Sequence, residues 1–338
     1  MKLKFAKLDP VLTVILLLAC VAIIALLYWL FGSSSLVISN TNPTSSRTLG
    51  ALSGTPCDHA NQRPMAVMLS SDAEARPLSA IGQADMVFEM PVTPNGITRM
   101  MAVYQCNQPS EFGSIRSARG DFIPLAQGLD AILVHWGGEK DALTELNNGV
   151  IDNIDALKYE GTTFFRKNGI ARPHNGFTSS ELVWERVEKL GYRATSSIAP
   201  YLHQSVNGDR NLGSLTTTVE QAWPQGMNVR FTYDNTTNTY LRERGNKPEY
   251  DASSNSQVHA SVVIAMHTTA TFLHDQYIHV QTIGSGVATI WQRGQRSSAL
   301  WKKERPTDPL LFTDSKGTRI SFEPGTIWVL VDAPLPTP

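Results

Sequence analysis

The sequence predicts an α+β fold: an N-terminal mixed α/β domain followed by a smaller β-rich domain, behind one transmembrane helix. Three observations predict it. An uncharged apolar run opens the chain, strand-like runs and capped helices alternate through the middle, and short alternating strands fill the last third. The pattern divides the chain into a cytoplasmic tail (1–10), an anchor (11–31), a stalk (32–56), a first domain (57–196), a linker (197–224) and a second domain (225–338).

Val11 to Phe31 is a stretch of 21 residues without charge. At 1.5 Å per residue a helix of that length spans roughly the 30 Å core of a bilayer. Lys2, Lys4 and Lys7 precede it, and Arg47 is the first positive charge beyond it. That asymmetry keeps the amino terminus in the cytoplasm and places the rest outside, in a single-pass cell-membrane protein. A cleaved signal would have a shorter apolar run ending at small residues; here it ends in Tyr28-Trp29-Leu30-Phe31, as an interfacial anchor does. Cys20 lies in the middle of the run, whereas a lipoprotein needs its cysteine at the end.

The chain carries a net charge of −1, and the tail (Lys2, Lys4, Lys7, Asp9) contributes +2, so the part beyond the anchor is −3. Nucleic acid is therefore excluded as a general partner, because phosphate-backbone binding needs clustered excess Lys and Arg. With Cys20 in the anchor, Cys57 and Cys106 remain as the pair outside, either bridged or as free thiols.

Residues 32–54 are rich in Ser, Thr, Asn and Pro and read as a flexible stalk, with order beginning at Cys57 to Arg63. Met65–Leu69 is a short apolar run. Met86–Met90 and Met100–Tyr104 flank Pro94-Asn95-Gly96, a hairpin signal. Ala131–Val134 reads as a buried strand feeding the turn His135-Trp136-Gly137-Gly138. Helices are expected over Ala118–Gln127, limited by Pro124, over Lys140–Leu146, and over Ser179–Leu190. The last is capped by Thr178 with Glu181 and stopped by Gly191. Beyond the linker, strands are expected at Val229–Tyr233, Thr239–Arg242, Ser261–Met266, Tyr277–Thr282, Ala288–Gln292, Arg319–Phe322 and Ile327–Val331.

Gly113-Ser114-Ile115-Arg116-Ser117-Ala118-Arg119 is the most suggestive cluster. Two arginines ahead of a helix oppose its macrodipole, and a bound carboxylate or phosphate would remove the conflict. The same arginines could instead pair with Glu89, Glu111 or Asp121. Glu89, in an otherwise apolar strand, is either paired, with Arg99 across the hairpin as its partner, or a general acid or base. His135 stands at a strand end where open sheets place ligands, and Gly137-Gly138 would allow close approach. His174 and Asn175 form a polar loop before the capped helix. No metal motif, nucleophile elbow or phosphate loop is present, so no metal and no cofactor is expected.

Several of these segments together resemble the YerB-like bacterial lipoproteins: Arg63–Met68, Ala75–Ser79, Gln83–Glu89, Gly96–Arg99, Ile115–Arg119, His135–Gly138, Pro173–Asn175, Gly284–Gly286, Trp301–Lys303 and Pro324–Thr326. The resemblance runs from Arg63 to the end in two consecutive domains. It implies an envelope location and this architecture, and no reaction. The position of Cys20 departs from the lipoprotein pattern.

The expected function is binding at the cell envelope. Arg99, Ser114, Arg116, Ser117, Arg119, Gly137, Gly138 and Asn175 would hold an anionic wall polymer, a peptide carboxylate or a partner protein. The alternative is a hydrolase or lyase cleaving peptidoglycan or another glycan. Glu89 would be its acid/base, with His135 and His174 beside it. A single carboxylate falls short of the usual pair. The pattern sets no oligomeric state.

Overall fold

The computed structural model describes residues 10–31, 48–204, 217–224, 226–274 and 276–335. The chain forms two compact units, Met1–Ser46 and Arg47–Pro338. In the first, α1 (Pro10–Phe31) is a 22-residue helix with exposed apolar side chains, among them Leu17, Leu18, Ile24 and Trp29. Among the described residues no helix is long and apolar enough to cross a membrane.

A ten-stranded mixed sheet organises the second unit. Its strands are β1 (Met65–Ser70), β2 (Met86–Pro91), β3 (Thr98–Tyr104), β4 (Ile132–His135) and β5 (Asn153–Asp155) from the first half. A smaller sheet takes β6 (Thr218–Gln221), β7 (Val229–Asp234) and β8 (Thr239–Arg244). The second half returns to the large sheet with β9 (Val262–His267). The hairpin β10 (Ala270–His274) and β11 (Tyr277–Val280) follows, then β12 (Gly284–Gln292), β13 (Gln295–Lys303), β14 (Leu311–Thr313) and β15 (Ile327–Asp332). The order across the large sheet is β14-β13-β12-β9-β15-β2-β3-β1-β4-β5.

The halves are not side by side but stitched. β15, last in sequence, runs parallel to both β9 and β2, so the second half closes directly on the first. β2 and β3 form the expected antiparallel hairpin with Glu89 opposite Met100. The central strands are buried on both faces, which explains their nearly unbroken apolar sequences. One face carries Met68, Phe88, Met90, Met101 and Val103. The other carries Val67, Val87, Met100, Ala102, Val263 and Trp328, and the small sheet packs on it through Phe231, 5.5 Å from the Trp328 ring.

That second face also buries charge. Glu89 is fully buried and pairs with Arg242 (Oε2 to Nη2, 2.8 Å) and with Arg244. Arg242 pairs in turn with Glu249, and Arg244 Nε lies 3.9 Å from the same carboxylate. The Thr98 hydroxyl donates to Glu89 Oε1 at 3.1 Å, and the Arg242 guanidinium lies 4.3 Å over the Trp328 ring. Burial pushes both arginines well below their ordinary pKa. Two carboxylates and two guanidiniums thus meet between the halves, and Arg76 Nε adds a further positive charge 3.9 Å from Glu249. The expected Glu89–Arg99 pair does not form. Arg99 is opposite Met90, one residue out of phase, and points to the other face of the sheet.

Three local expectations shift by a few residues. In place of a helix over Ala118–Gln127, a 3₁₀ turn at Gly120–Phe122 leads into α2 (Ile123–Gly128), with Pro124 near its start. α3 (Lys140–Asn147) lies as expected. α4 (Ser180–Leu190) is capped by Ser179, whose Oγ accepts from Leu182 N at 3.2 Å, because Thr178 still belongs to a short strand. Gly191 ends it in the left-handed conformation. Of the expected stalk, residues 32–47 lie outside the described residues. Its remaining residues, 48–56, are part of the folded unit, with Leu52 fully buried in the core. β6 lies within the expected linker.

Cys57 and Cys106 form a disulfide across 49 residues of sequence. In the chain-entropy model such a loop is worth about 4 kcal/mol. Replacing both cysteines by serine should lower chemical-denaturation stability by up to that amount; an unchanged midpoint contradicts it. Glu89→Gln should cost about 3–5 kcal/mol, because it strands buried positive charge, and calorimetric unfolding of the purified variant measures it.

Candidate functional site

At one edge of the large sheet the parallel strands β1 and β4 end side by side, at Ser70 and His135. The segment Ser114–Ala118 crosses those ends as a strap. Ser70 N donates to Ser114 O, Arg116 N to Met68 O, and Trp136 N to Arg116 O, at 3.1, 2.9 and 3.0 Å. Ala118 N closes onto Gly137 O at 2.9 Å. Arg119 is extended, so the dipole conflict expected for a helical start does not arise. The strap is what projects the arginines over the strand ends.

β3 runs antiparallel to β1, which puts Arg99 opposite Ser70 at this same edge. Arg99, Arg116 and His174 converge on one atom, Asp72 Oδ2. Arg99 Nη1 lies 3.8 Å from it, Arg116 Nη2 3.4 Å and His174 Nδ1 3.9 Å. Ser70 Oγ donates to the same oxygen at 2.7 Å. Arg119 completes the group, with its guanidinium 4.8 Å over the ring of Tyr277 from the β10–β11 hairpin.

The charge balance is uneven. Two guanidiniums, Arg99 and Arg116, and the His174 ring face one carboxylate, and Arg119 adds a third positive charge alongside them. Burial works to raise the Asp72 pKa, but the Ser70 hydroxyl and then Arg99, Arg116 and His174 outweigh it and hold the carboxyl below its usual range. Burial, then the neighbouring charges of Arg116 and Arg119, push Arg99 down to about 9. Burial does the same in direction to Arg116 and Arg119. Arg99 is only 4% exposed, and its Nε and Nη1 lack a hydrogen-bond acceptor among the described residues. So do Arg116 Nε, Arg119 Nε, His174 Nδ1 and the Ser114 hydroxyl. Buried donors without acceptors are costly, and an anion is the ligand that would satisfy them.

The expected site residues divide. Arg99, Arg116, Arg119 and His174 come together, with Ser114 buried beneath and Ser117 half-buried on the strap. Glu89 is elsewhere, sealed between Arg242 and Arg244, and cannot meet a substrate; its place as acid/base is corrected by that burial. His135 is also corrected. Its ring is fully buried, with Nδ1 2.8 Å from Gly137 O and Nε2 3.2 Å from Asn153 Oδ1, which leaves neither nitrogen free for a ligand. Gly137 and Gly138 serve packing, not ligand approach. A Cβ on Gly137 would meet Leu157 at 2.9 Å, and one on Gly138 would meet Leu143 at 3.1 Å. Asn175 Oδ1 accepts from Arg166 at 2.9 Å. Asp72 and Tyr277 were not singled out from sequence. Ser70-Ser71-Asp72 directly after an apolar strand is the signal that marks the first; nothing in the pattern marks the second. Among the described residues no cluster suited to a metal ion occurs.

The class is thus an α+β protein whose stitched sheet carries a basic side-chain cluster at its strand ends. The chain belongs to the family described as a protein of unknown function, DUF3048: the N-terminal domain matches residues 52–193 and the C-terminal domain 219–329. It is 28% identical over 272 residues to a Bacillus subtilis (strain 168) protein named "Putative lipoprotein YerB", covering 79% of this chain and 80% of that one. The crystal structure of Bacillus subtilis YerB shares the fold, with a TM-score of 0.75 at 24% identity, covering 84% of this chain and 96% of the other.

Burial, then the Arg116 charge, hold His174 below the usual 6.5, against the opposing pull of Asp72 and Glu74. The folded protein therefore binds this proton less readily than the unfolded chain, so its contribution to stability is lost as pH falls below about 6.5. An NMR titration should give His174 a midpoint below 6.5, moving upward when inorganic phosphate is added. A midpoint that phosphate leaves unmoved contradicts an anion at this position.

Proposed function

We propose that the protein is a membrane-held envelope protein that captures an anionic group in the cleft of Arg99, Arg116, Arg119 and His174. The group is a carboxylate or phosphate of a wall polymer, a peptide or a partner protein. One observation carries the reading: Arg99 and Arg116 converge with the His174 ring on a single carboxylate, with Arg119 beside them and buried N–H groups lacking acceptors. An anion bound there regains charge-assisted hydrogen bonds at sites already desolvated, where each is worth about 1.5–3 kcal/mol. The net charge of −3 beyond the anchor makes this local excess of positive charge a property of the cleft, not of the surface at large.

Membrane attachment is proposed through α1. It is supported by the uncharged run Val11–Phe31, the lysines ahead of it and the similarity to a protein named as a lipoprotein. Folded parts from Arg47 onward would then work outside the membrane, where the Cys57–Cys106 bridge is at home.

Arg116→Ala and Arg119→Ala should each weaken retention of the protein on purified wall material about tenfold to a hundredfold. Added salt should weaken the wild type in the same sense. Equal retention of wild type and both variants overturns the binding site. The anchor is tested by alkaline carbonate extraction: full-length protein should stay with the membrane, and a chain lacking residues 10–31 should not.

A further inference from the structure

A second concentration of positive charge involves none of Arg99, Arg116 and Arg119. Where the buried charge group around Glu89 nears the surface, a cavity of about 390 Å³ opens, lined by Arg76, Pro77, Arg244, Lys247, Glu249 and Tyr250 among others. Its walls come from distant parts of the chain. Arg76 follows a 3₁₀ turn at Ala73–Ala75, and Lys247 to Tyr250 come after β8. Ala252 N donates to Leu78 O at 2.8 Å and Gly82 N to Asp251 Oδ2 at 2.7 Å, which ties the two segments together.

The charges at the cavity's floor do not balance. Two carboxylates, Glu89 and Glu249, stand against three guanidiniums, Arg76, Arg242 and Arg244, an excess of one positive charge. Arg76 Nε lies 3.9 Å from Glu249 Oε1, and Arg244 Nε lies 3.9 Å from Oε2. Both are too far for a hydrogen bond. Neither Nε has another acceptor among the described residues, although Arg244 is only 2% exposed. Burial lowers Arg76 to about 10, against the pull of Asp72 and Glu74. The charge of Arg76 in turn adds to burial in lowering Arg242 and Arg244. Asp72 is already engaged by Ser70, Arg99 and Arg116. Lys247 is exposed at the rim and adds to the excess.

We infer that this cavity binds a small organic carboxylate with an apolar or aromatic body. The carboxylate lies at Arg76 Nε and Arg244 Nε, and the body lies against Pro77, Pro248 and Tyr250. The floor selects a monoanion, because one negative charge cancels the buried excess. Its unused N–H groups supply charge-assisted hydrogen bonds. The outer wall selects the body: Ala73, Pro77 and Pro248 present hydrocarbon, and Tyr250 leaves 47% of its surface open. The volume is within the range that takes small ligands. No residue here belongs to the Arg99 cluster, so the two sites stand or fall separately.

Heteronuclear NMR of the arginine Nε–H groups in the full chain, held in detergent, tests this with sodium benzoate. Acetate, benzamide and inorganic phosphate serve as comparisons. Benzoate should shift the Arg76 and Arg244 resonances saturably, and neutral benzamide should leave them in place. Acetate, which lacks the ring, should bind about tenfold more weakly. In Arg76→Gln the half-saturation read at Arg244 should rise about tenfold or more. In Tyr250→Ala, a change at the exposed rim, benzoate should weaken about threefold to tenfold while acetate is unaffected. If benzoate moves Arg99 but neither Arg76 nor Arg244, this site is overturned and the proposed function stands. Equal shifts with benzamide, or tighter binding of phosphate than of benzoate, overturn the ligand class.

Discussion

The structure depends on the buried charge group of Glu89, Arg242, Arg244 and Glu249. A carboxylate in the middle of a doubly covered sheet would be intolerable alone. It is held there because two arginines from β8 descend onto it, and those arginines need Glu249 to complete the balance. Such groups are weak contributors to net stability, since desolvation offsets most of the attraction, but they reject any arrangement that leaves a member unpaired. The small sheet can therefore settle on this face in one position. That position lets β15 enter beside β2 and complete the large sheet, which in turn fixes the edge where Ser70, Arg99 and the strap meet.

Much of this was legible in the residues. Apolar runs at Met65–Leu69, Met86–Met90, Met100–Tyr104 and Ala131–Val134 announce strands because burial on both faces demands unbroken hydrophobicity. Gly191 announces a helix stop because only glycine enters the left-handed conformation without strain. What escaped were matters of register and distance. The hairpin makes Arg99 the expected partner of Glu89, but strand alternation sends the two to opposite faces. Its true partners are 153 residues away for Arg242 and a little farther for Arg244. No local pattern reports a contact of that range.

The site followed the same rule. Arg116 and Arg119 stand out because arginines and serines cluster in one short segment, and Arg99 because it lies across the hairpin from Glu89. Their meeting depends on the sheet topology, since β3 is antiparallel to β1 and the strap spans β1 and β4. His135 drew attention by its place at a strand end, yet burial turned that place into a structural one: the ring ties the Gly137 turn to Asn153. Asp72 carries no signal in the sequence because a lone acid after a strand is common, and only the geometry makes it the point where two guanidiniums and the His174 ring meet.

The insertion of β15 has a consequence for how the molecule is made. Its neighbours on either side, β2 and β9, are separated by about half of the chain, and neither edge is covered until residues 327–332 arrive. A chain made from its amino end presents β2 long before that closing piece. During synthesis the open flank of β2 is a template for wrong pairing. Met86–Met90 and its hairpin partner are thus the segment most in need of shielding, and a shortened carboxyl end would leave it bare for good.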